Sequence, residues 1–502
     1  MNKAPAISNR SGGKLSLILP KLILSATAIC FLWTAASVFI CNYYRYNGLL
    51  LAVSVFAALA LIILFWLAAG RHEAFLTKNS KWITLGFLLF MGACQAALIF
   101  PLRYTPVFDV DAIFGGAAEW ANTGDFASYH QYFGMFHNNF GGLLLLRAVF
   151  GAAKLIGITD YYLVASVFNS ALSLLTMYLT GAVAAEFAGE RGRVTAYFLF
   201  AISLPFYFIA PAFYTDALSM VFPVLILRLY LVGCRKKRFL EQLAAFLLMG
   251  LAAGMGFCIK GTVAIMLVAV MLETVLRWDL KRLAALALAS AVAVPACIFF
   301  TRGMIYRHLD RSEAEKAEIP VLHWVMMGTV GNGFYNPDEY EFTKSFEDPA
   351  ERKKAVAERL SERLKDYNAK DFLKLFTSKL DIDFGDGTYG LSDCLGGTHG
   401  ENNFLHSFLL NDGEHRDAYK HICTGVVIAL YLLLIASCIA GVFGTELKPG
   451  TLASRAALLG FLVFLLAWEA RWRYFSNYIP VFMISAVIGL DSIIRRRKKA
   501  RK

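Results

Sequence analysis

Two aspartates, Asp109 and Asp111, stand two residues apart directly after a long apolar run. Charged side chains are costly near a bilayer core, so carboxylates at such a place indicate function. An aspartate can take a proton from a hydroxyl when its surroundings tune it, and two neighbouring acids could also hold a divalent cation such as Mg²⁺ or Mn²⁺. The competing interpretation is that one of them caps a helix. We predict a catalytic or metal-binding role for at least one of the pair.

Three basic residues could bind a phosphate group. Lys260 separates two apolar runs, and Arg471 and Arg473 lie just before the last apolar run of the chain. A lysine that snorkels to the membrane surface is the plain interpretation of Lys260, whereas its compact ammonium also suits a lipid-linked phosphate. For the two arginines we predict a phosphate clamp, by Arg473 or Arg471, because guanidinium groups pair strongly with phosphate.

Four polar residues are candidates for contacts with a substrate. Tyr214 and Asp216 stand at the start of an apolar run, where Thr215 or Asp216 could instead do no more than cap the helix. His137 and Asn139 could line the same cavity, although a structural role is favoured for His137.

The composition places the chain among membrane proteins with many spans. It has 502 residues, of which 58% are hydrophobic and only 17% charged, and its mean hydropathy is +0.54. Each span needs roughly 20 apolar residues. The apolar runs predict about twelve helices, near residues 17–41, 48–69, 82–102, 161–187, 193–211, 213–233, 240–257, 261–277, 283–301, 422–443, 452–469 and 475–493. We therefore predict an all-α polytopic membrane protein.

The basic clusters predict how these spans are oriented. Cytoplasmic loops carry an excess of Lys and Arg, and one arrangement puts nearly all the basic clusters on that side. It requires that the apolar segment 140–157 does not cross the membrane but lies along its outer surface or re-enters. Both termini are then cytoplasmic. The net charge of +12 reflects this topology, and the short basic clusters at span ends give little support to nucleic-acid binding.

This topology gathers distant polar residues at one side of a plasma membrane. All the candidate residues named above that lie at span ends fall on the outer face, with two long connecting segments, 103–160 and 302–421. Such convergence is what a membrane enzyme with an extracytoplasmic active site requires. We divide the chain into two N-terminal spans (1–81), a core that contains the first outer loop (82–301), a large extracytoplasmic loop (302–421), and C-terminal spans with a basic cytoplasmic tail (422–502).

The two outer segments carry local signals of their own. In the first, Ile113, Ala117 and Trp120 recur at helical spacing and predict an amphipathic helix behind the acids. An aromatic cluster follows that is typical of the headgroup level of a membrane. Its members are Tyr129, Tyr132, Phe133 and Phe136. In the second, Asp348 and Pro349 predict a helix start, and 381–387 imitates a calcium loop without the EF-hand spacing, so we predict a turn there.

These motifs resemble those of the GT-C glycosyltransferases. The likeness consists of acids in the first outer loop, Tyr214-Thr215-Asp216 at a later outer helix start, a large outer loop, and Arg471-Trp472-Arg473-Tyr474 before the last span. It is similar above all to family 39, the bacterial relatives of protein O-mannosyltransferases and aminoarabinose transferase, over about residues 82–493. The two spans before residue 82 resemble an addition to that core.

The resemblance implies transfer of a sugar at the outer membrane face. The donor would be a sugar on a polyprenyl phosphate, in a bacterium undecaprenyl phosphate, and the acceptor a protein, lipid or glycan of the cell envelope. Asp109 or Asp111 matches the catalytic acid of the family, and Arg473 best matches its phosphate-binding arginine. Many members have Asp-Glu where this chain has Asp-Val-Asp, which leaves open which acid is the base and whether a metal takes part.

Two other functions remain compatible with the sequence. A polyprenyl-lipid flippase or transporter would place ionisable residues at mid-span and often show paired repeats. A lipid-linked glycan polymerase or ligase would also face outward with a large loop, but it would rely on arginines rather than on an early pair of acids.

The transferase that the resemblance implies moves a hexosyl, mannosyl or aminoarabinosyl group. It would invert the anomeric carbon, because one base without a covalent step gives inversion.

Overall fold

The computed structural model describes residues 15–400, 402–444 and 447–500. The first helices are α1 (Leu15–Ile40), α2 (Gly48–Arg71) and α3 (Glu73–Ile99), followed by strand β1 (Tyr104–Thr105), α4 (Phe108–Thr123), α5 (His130–Met135) and α6 (Phe140–Leu155). The central helices are α7 (Tyr161–Ile202), α8 (Thr215–Ser219), α9 (Val221–Arg235), α10 (Phe239–Ile259), α11 (Ala264–Leu276) and α12 (Leu280–Ile305).

The remaining elements form the second long segment and the C-terminal helices. They are α13 (Arg311–Ala317), α14 (Val321–Met327), α15 (Pro337–Lys344), α16 (Pro349–Asp366), α17 (Ala369–Phe384), α18 (Leu391–Cys394), β2 (Thr398–His399), α19 (His406–Leu409), α20 (Arg416–Val442), α21 (Thr451–Ala467) and α22 (Ile479–Ala500). The ends of the predicted cytoplasmic tails, residues 1–14 and 501–502, lie outside the described residues.

The structure confirms an all-α polytopic membrane protein. Within the described ranges, nine helical segments are long and apolar enough to cross a membrane. Two shorter apolar segments, Gly261–Leu276 and Thr451–Ala467, coincide with predicted spans. The predicted count of twelve is therefore not confirmed, although each predicted span falls on an apolar helix.

The longest helix, α7, folds back on itself. Its backbone leaves the helical conformation at Ala188 and at Gly189, where φ is +65°. Gly181 lies against the ring of Tyr197 so closely that a Cβ would overlap it. Sixteen residues of straight helix would separate these two positions by about 24 Å. The predicted spans 161–187 and 193–211 are thus the two arms of a hairpin, and the second arm ends as a helix at Ile202 rather than near 211.

Helix α6 occupies the segment that we predicted not to cross. It has 16 residues, fewer than a span requires, and is not among the apolar segments that qualify within the described chain. Two glycines at its start allow close packing. A Cβ on Gly141 would overlap the backbone of Cys258 at the end of α10, and one on Gly142 would press on Thr215 of α8. These contacts hold the start of α6 close to the end of α10 and to the start of α8.

The two long connecting segments are largely helical and touch. Strands β1 and β2 pair in antiparallel fashion, with Tyr104 opposite His399. Helix α16 begins as predicted, since the Asp348 side chain accepts bonds from the N–H groups of Ala350 and Glu351. Most buried apolar side chains belong to one continuous core, and a small second core lies in the 302–421 segment around Met326 and Val356.

One local prediction was wrong. Residues 381–384 are the last turn of α17, not part of a turn, and the chain turns only at 387–390. In the aromatic cluster of the first segment, Phe133 is fully buried whereas Tyr129, Tyr132 and Phe136 are half-buried, so its place at the headgroup level stays a prediction. Tyr132 of the same cluster is directed at an acid, as described below.

Candidate active site

The carboxylate of Asp109 is held by two tyrosine hydroxyls. Tyr132 donates to its Oδ1 at 2.8 Å and Tyr214 donates to its Oδ2 at 3.0 Å. The N-cap of α4 is Val107 and makes no side-chain capping bond, so neither acid of the pair is the helix cap. The side chain of Asp109 remains 41% exposed. It is thus oriented by its neighbours and still open to a substrate.

A third residue acts on Asp109 through Tyr132. The amide of Asn139 donates to the Tyr132 hydroxyl at 2.6 Å, which leaves that hydroxyl free to donate to the acid. Burial raises the pKa of Tyr132 well above its usual value, and the negative charge of Asp109 raises it further. Tyr132 is therefore a protonated donor at neutral pH. The predicted site residue Asn139 is a positioning residue in this arrangement.

Two cations lie beside the acid and share a second carboxylate. The Nζ of Lys260 is 2.7 Å from Oδ1 of Asp216, and the Nε of Arg473 is 3.5 Å from its Oδ2. The Nη2 of Arg473 is also 3.8 Å from Oδ2 of Asp109. Lys260 and Arg473 are each 16% exposed at the side chain, so their charges are partly shielded from water. This rules out free snorkelling by Lys260.

Two tyrosine rings line the same cations. Lys260 Nζ lies 4.2 Å from the ring centre of Tyr474, and the Arg473 guanidinium lies 5.1 Å from that of Tyr214. Such cation–π contacts stabilise each cation by roughly 0.5–2 kcal/mol. Asp109, Asp216, Lys260 and Arg473 form what we call the charge cluster, and their two negative and two positive charges cancel.

The fold brings the charge cluster together from four helix ends. Asp109 begins α4, Asp216 begins α8, Lys260 follows α10, and Arg473 precedes α22. Asp216 lies in the first turn of α8, whose N-cap is Tyr214 without a side-chain capping bond, so it does not cap that helix. These residues lie up to 364 positions apart (473 minus 109) in the chain. The predicted convergence of distant polar residues is therefore observed in the structure.

The backbone of Gly390 packs against the arginine of the cluster. Its φ is +66°, a conformation that side chains rarely adopt, and a Cβ there would lie 2.8 Å from the Cβ of Arg473. The turn that contains Gly390 is held by Asp386, whose carboxylate accepts bonds from the N–H groups of Thr388 and Gly390. The large 302–421 segment thus packs directly against the residue that carries this cation.

The second acid, Asp111, points away from the first. Residues two positions apart in a helix differ by about 200° around its axis, so the side chains of Asp109 and Asp111 leave the helix in different directions. Oδ1 of Asp111 lies near Gly115 and Tyr129 instead, and burial raises the pKa of this acid. Among the residues that the structure describes, no three His, Cys, Asp or Glu side chains are grouped to hold a metal ion. The carboxylates of Asp109 and Asp111 therefore have different neighbours in this structure.

Two further candidates lie outside the charge cluster. Arg471 donates to Glu469 at 2.8 Å through Nε, and its backbone N–H donates to Asp383 at 2.7 Å. His137 lies 3.3 Å from Glu318 through Nδ1, and its ring stacks on Phe140. Arg471 and His137 thus make contacts typical of structural residues.

Two site residues were not predicted. Tyr132 was interpreted as a headgroup aromatic, and Tyr474 was noted only as a neighbour of Arg473. An aromatic residue has the same sequence signal in a core, at a membrane surface or in a site. Their only usable signal was proximity in sequence to a predicted residue.

Comparison with known proteins supports the membrane assignment. A family model described as "Conserved hypothetical integral membrane protein" matches residues 23–494, and the chain belongs to this family. No curated protein matches the sequence. A solved structure, the crystal structure of ArnT from Cupriavidus metallidurans bound to undecaprenyl phosphate, is similar at 15% identity and a TM-score of 0.35, over 83% of this chain and 78% of that chain. A similarity this slight supports no argument about the site.

Proposed function

We propose that this membrane protein is a glycosyltransferase that moves a sugar from a polyprenyl-phosphate donor, such as undecaprenyl phosphate, to a cell-envelope acceptor. The observation that carries the proposal is a tyrosine-held, accessible carboxylate next to two shielded cations. Asp109 supplies a base, and Lys260 and Arg473 supply positive charge at 16% exposure. Transfer of a sugar from a lipid phosphate needs a base for the acceptor hydroxyl and, close to it, positive charge for the departing phosphate.

In the proposed reaction Asp109 is the general base. It takes the proton of an acceptor hydroxyl while that oxygen forms a bond to the anomeric carbon of the sugar. The bond from the anomeric carbon to the phosphate oxygen breaks, and the lipid phosphate leaves with the electron pair. Attack opposite the leaving group inverts the anomeric carbon.

Arg473 and Lys260 stabilise the phosphate as its charge grows. Preorganised cations in a shielded site stabilise a developing anion more strongly than water does. Asp216 is 3% exposed, and its two carboxylate oxygens pair with Lys260 and Arg473 respectively. Because Arg473 is 3.8 Å from Asp109, a sugar bound between base and phosphate has to separate this pair. We expect Arg473 to keep Asp216 and to release Asp109 when the donor binds.

The same geometry leads us to propose that Mg²⁺ or Mn²⁺ is not needed for the transfer. Arg473 and Lys260 already place two positive charges at the site, and Asp109 and Asp111 diverge around the helix. Sugar transfer should therefore survive treatment with a chelator. Loss of activity in EDTA that returns with Mg²⁺ or Mn²⁺ would refute this point.

The charge distribution supports an outward-facing site. Helix α10 runs from Arg238 at its N-cap to Lys260 at its C-cap, and its 21 residues span about 31 Å. The cluster 235–238 therefore lies at the far end of the helix from the charge cluster. Arg228 pairs with Glu186, and Arg277 donates to the Leu447 carbonyl, in the same distal region. By the positive-inside rule, that region is cytoplasmic and the site extracytoplasmic.

The test uses purified protein and a synthetic polyprenyl-phosphate hexose, with release of polyprenyl phosphate as the readout. Asp109→Asn should lower turnover by at least about 100-fold, the range typical of a lost general base. Asp111→Asn is the matched control, because it changes an acid of the same helix turn and should stay within about threefold. Equal activity of wild type and Asp109→Asn would overturn the assignment of the base. The acceptor can then be sought by envelope-glycan analysis of a deletion strain.

A further inference from the structure

A cavity separate from the charge cluster lies where the two long segments meet. Its volume is about 440 Å³, within the range of small-molecule pockets. It lies beside the β1–β2 ribbon, between residues 100–105 on one side and Gly400, Asn403 and His406 on the other. The lining includes Phe100, Arg103, Tyr104, Thr105, Asn403 and His406. The cavity therefore combines aromatic and polar side chains.

Two of the lining residues are buried and carry polar atoms without a partner among the described residues. Tyr104 and His406 are each 4% exposed. The hydroxyl of Tyr104 and the Nε2 of His406 make no hydrogen bond there. His399 packs on His406 at 4.4 Å between ring centres, and both of its ring nitrogens are also unpaired. Buried polar groups are nearly always paired, so the two unpaired groups on lining residues, Tyr104 and His406, indicate a polar ligand.

Among the described residues of the lining, no side chain carries a free positive charge that would attract an anion. Arg103 is engaged by both oxygens of Asp160, at 2.9 and 3.1 Å. Burial lowers the pKa of His406, which keeps that ring neutral at neutral pH. A neutral hydroxylated ligand fits this lining better than a phosphate does. Nδ1 of His406 accepts from the Asn403 N–H, so Nε2 of the neutral ring carries the proton and can donate to a ligand hydroxyl. A ligand hydroxyl can also bond with the hydroxyl of Tyr104, and aromatic side chains offer flat apolar contact area.

The cavity is one aromatic layer away from the proposed base. The ring of Tyr104 stacks on that of Phe213 at 6.3 Å, and the next residue, Tyr214, donates to Asp109. A ligand in the cavity does not itself touch Asp109 through these residues. Thr105 of the lining precedes Asp109 by four residues, at most about 14 Å of chain, so the cavity lies within reach of a ligand of two sugar rings.

We propose that this cavity is a subsite for a neutral sugar ring of the acceptor, an inference that rests on the proposed glycosyltransferase function. On this proposal the acceptor is a glycan of at least two rings or a glycosylated lipid. One of its rings occupies the cavity, while a hydroxyl of another ring faces Asp109. The donor sugar is a less suitable occupant, because its anomeric carbon has to reach the charge cluster.

The test measures binding of methyl glucoside, methyl mannoside and methyl galactoside by saturation-transfer NMR, in a detergent without a sugar headgroup. Gly400 lines the cavity and a Cβ there meets nothing within 4 Å, so Gly400→Leu should fill the cavity without a clash. Its matched control is Gly303→Leu, since Gly303 also has open space around it and does not line the cavity. Tyr104→Phe removes one unpaired hydroxyl, and Tyr419→Phe removes another elsewhere.

We expect at least one glycoside to bind to wild type, Gly303→Leu and Tyr419→Phe alike. Gly400→Leu should abolish the signal and Tyr104→Phe should weaken affinity at least fivefold, with unchanged thermal stability. No binding by any glycoside, equal binding by Gly400→Leu, or displacement by inorganic phosphate would overturn the subsite. Asp109→Asn should bind glycosides as wild type does. Should it also retain transfer activity, the proposed base would fall while the sugar subsite stood.

Discussion

A carboxylate with two phenol donors is the feature that gives the site its chemistry. Asp109 accepts from Tyr132 and Tyr214, and Asn139 supports Tyr132 from behind. Each donor binds a different carboxylate oxygen, and together the two bonds restrict rotation of the side chain. The arrangement explains how an acid with a 41% exposed side chain can keep one orientation.

Tyr132→Phe should lower the turnover of sugar transfer although Tyr132 acts only by holding the base. The variant removes one of the two hydrogen bonds that orient the carboxylate of Asp109, so turnover should fall by about tenfold while the KM for the donor stays within about threefold. Asn139→Ala should lower turnover less, because Asn139 acts on Asp109 only through Tyr132. The matched control is Tyr129→Phe, and unchanged turnover in Tyr132→Phe would contradict the positioning role.

Arg473 and Arg471 should behave differently although they are two residues apart. Arg473 contacts both acids of the charge cluster, whereas Arg471 pairs with Glu469. We expect Arg473→Ala to raise the KM for the polyprenyl-phosphate donor at least tenfold, and Arg471→Ala to lower thermal stability with little effect on that KM. The reverse pattern would move the phosphate clamp to Arg471.

At the scale of elements, close contact between backbones sets the position of the site. Gly141 at the start of α6 touches the end of α10, and Gly390 touches the segment that carries Arg473. Small residues allow helices in membranes to approach each other closely. The four helix ends of the charge cluster therefore depend on contacts well outside the cluster.

Gly390→Ala should damage the site more than the fold. The new Cβ would lie within 3.0 Å of Arg473 and would occupy a backbone conformation with φ at +66°. Strain of this kind costs about 1–3 kcal/mol, and shifting the turn would relieve it at the expense of the Arg473 position. We expect a raised KM for the donor in protein that still purifies as a monodisperse species. Gly303→Ala, in open space, should match wild type in the same assay.

Parts of this fold follow from the sequence and parts do not. Hydropathy located the apolar helices, and charge counting indicated that Asp109 and Arg473 share one end of the molecule, where they are now 3.8 Å apart. The hairpin at Gly189 was located only to within several residues, because periodicity continues through it. The helical state of 381–384 was missed, since Asp and Gly favour turns unless tertiary contacts decide otherwise. Tyr132 lacked any distinguishing signal.

At the scale of the whole molecule, a native thiol reports which end faces outward. Cys41 is exposed, while the other eight cysteines are buried or half-buried. The neighbouring ring of Tyr43 lies 6.5 Å from that of Trp472, so Cys41 marks the end that contains the charge cluster. A membrane-impermeant maleimide should label Cys41 in intact spheroplasts. In a Cys41→Ser background, the exposed Lys237→Cys should react only after permeabilisation. Labelling of the two in the opposite order would reverse the proposed orientation.

Stability should also depend on pH through a buried acid. Burial raises the pKa of Asp381 to about 7, and the one bond from the Tyr43 N–H only partly opposes this. The folded protein therefore binds a proton that the unfolded chain releases near pH 4. The resulting stabilisation is complete below about pH 4 and is lost as pH rises through 7. We expect the apparent Tm of wild type to fall between pH 5.5 and 8, and Asp381→Asn to reduce that slope.

The cancelling charges of the charge cluster have a consequence for turnover. An empty cluster with no net charge does not accumulate stray anions, so it remains open for a lipid that brings one negative charge. After transfer the lipid phosphate is a monoester with a charge between −1.5 and −2 near pH 7. Once Asp109 gives its proton to solvent, the cluster is neutral again and faces this more highly charged product. Proton loss from the base thus favours departure of the spent carrier, which links its recycling to the acidity of the surrounding medium.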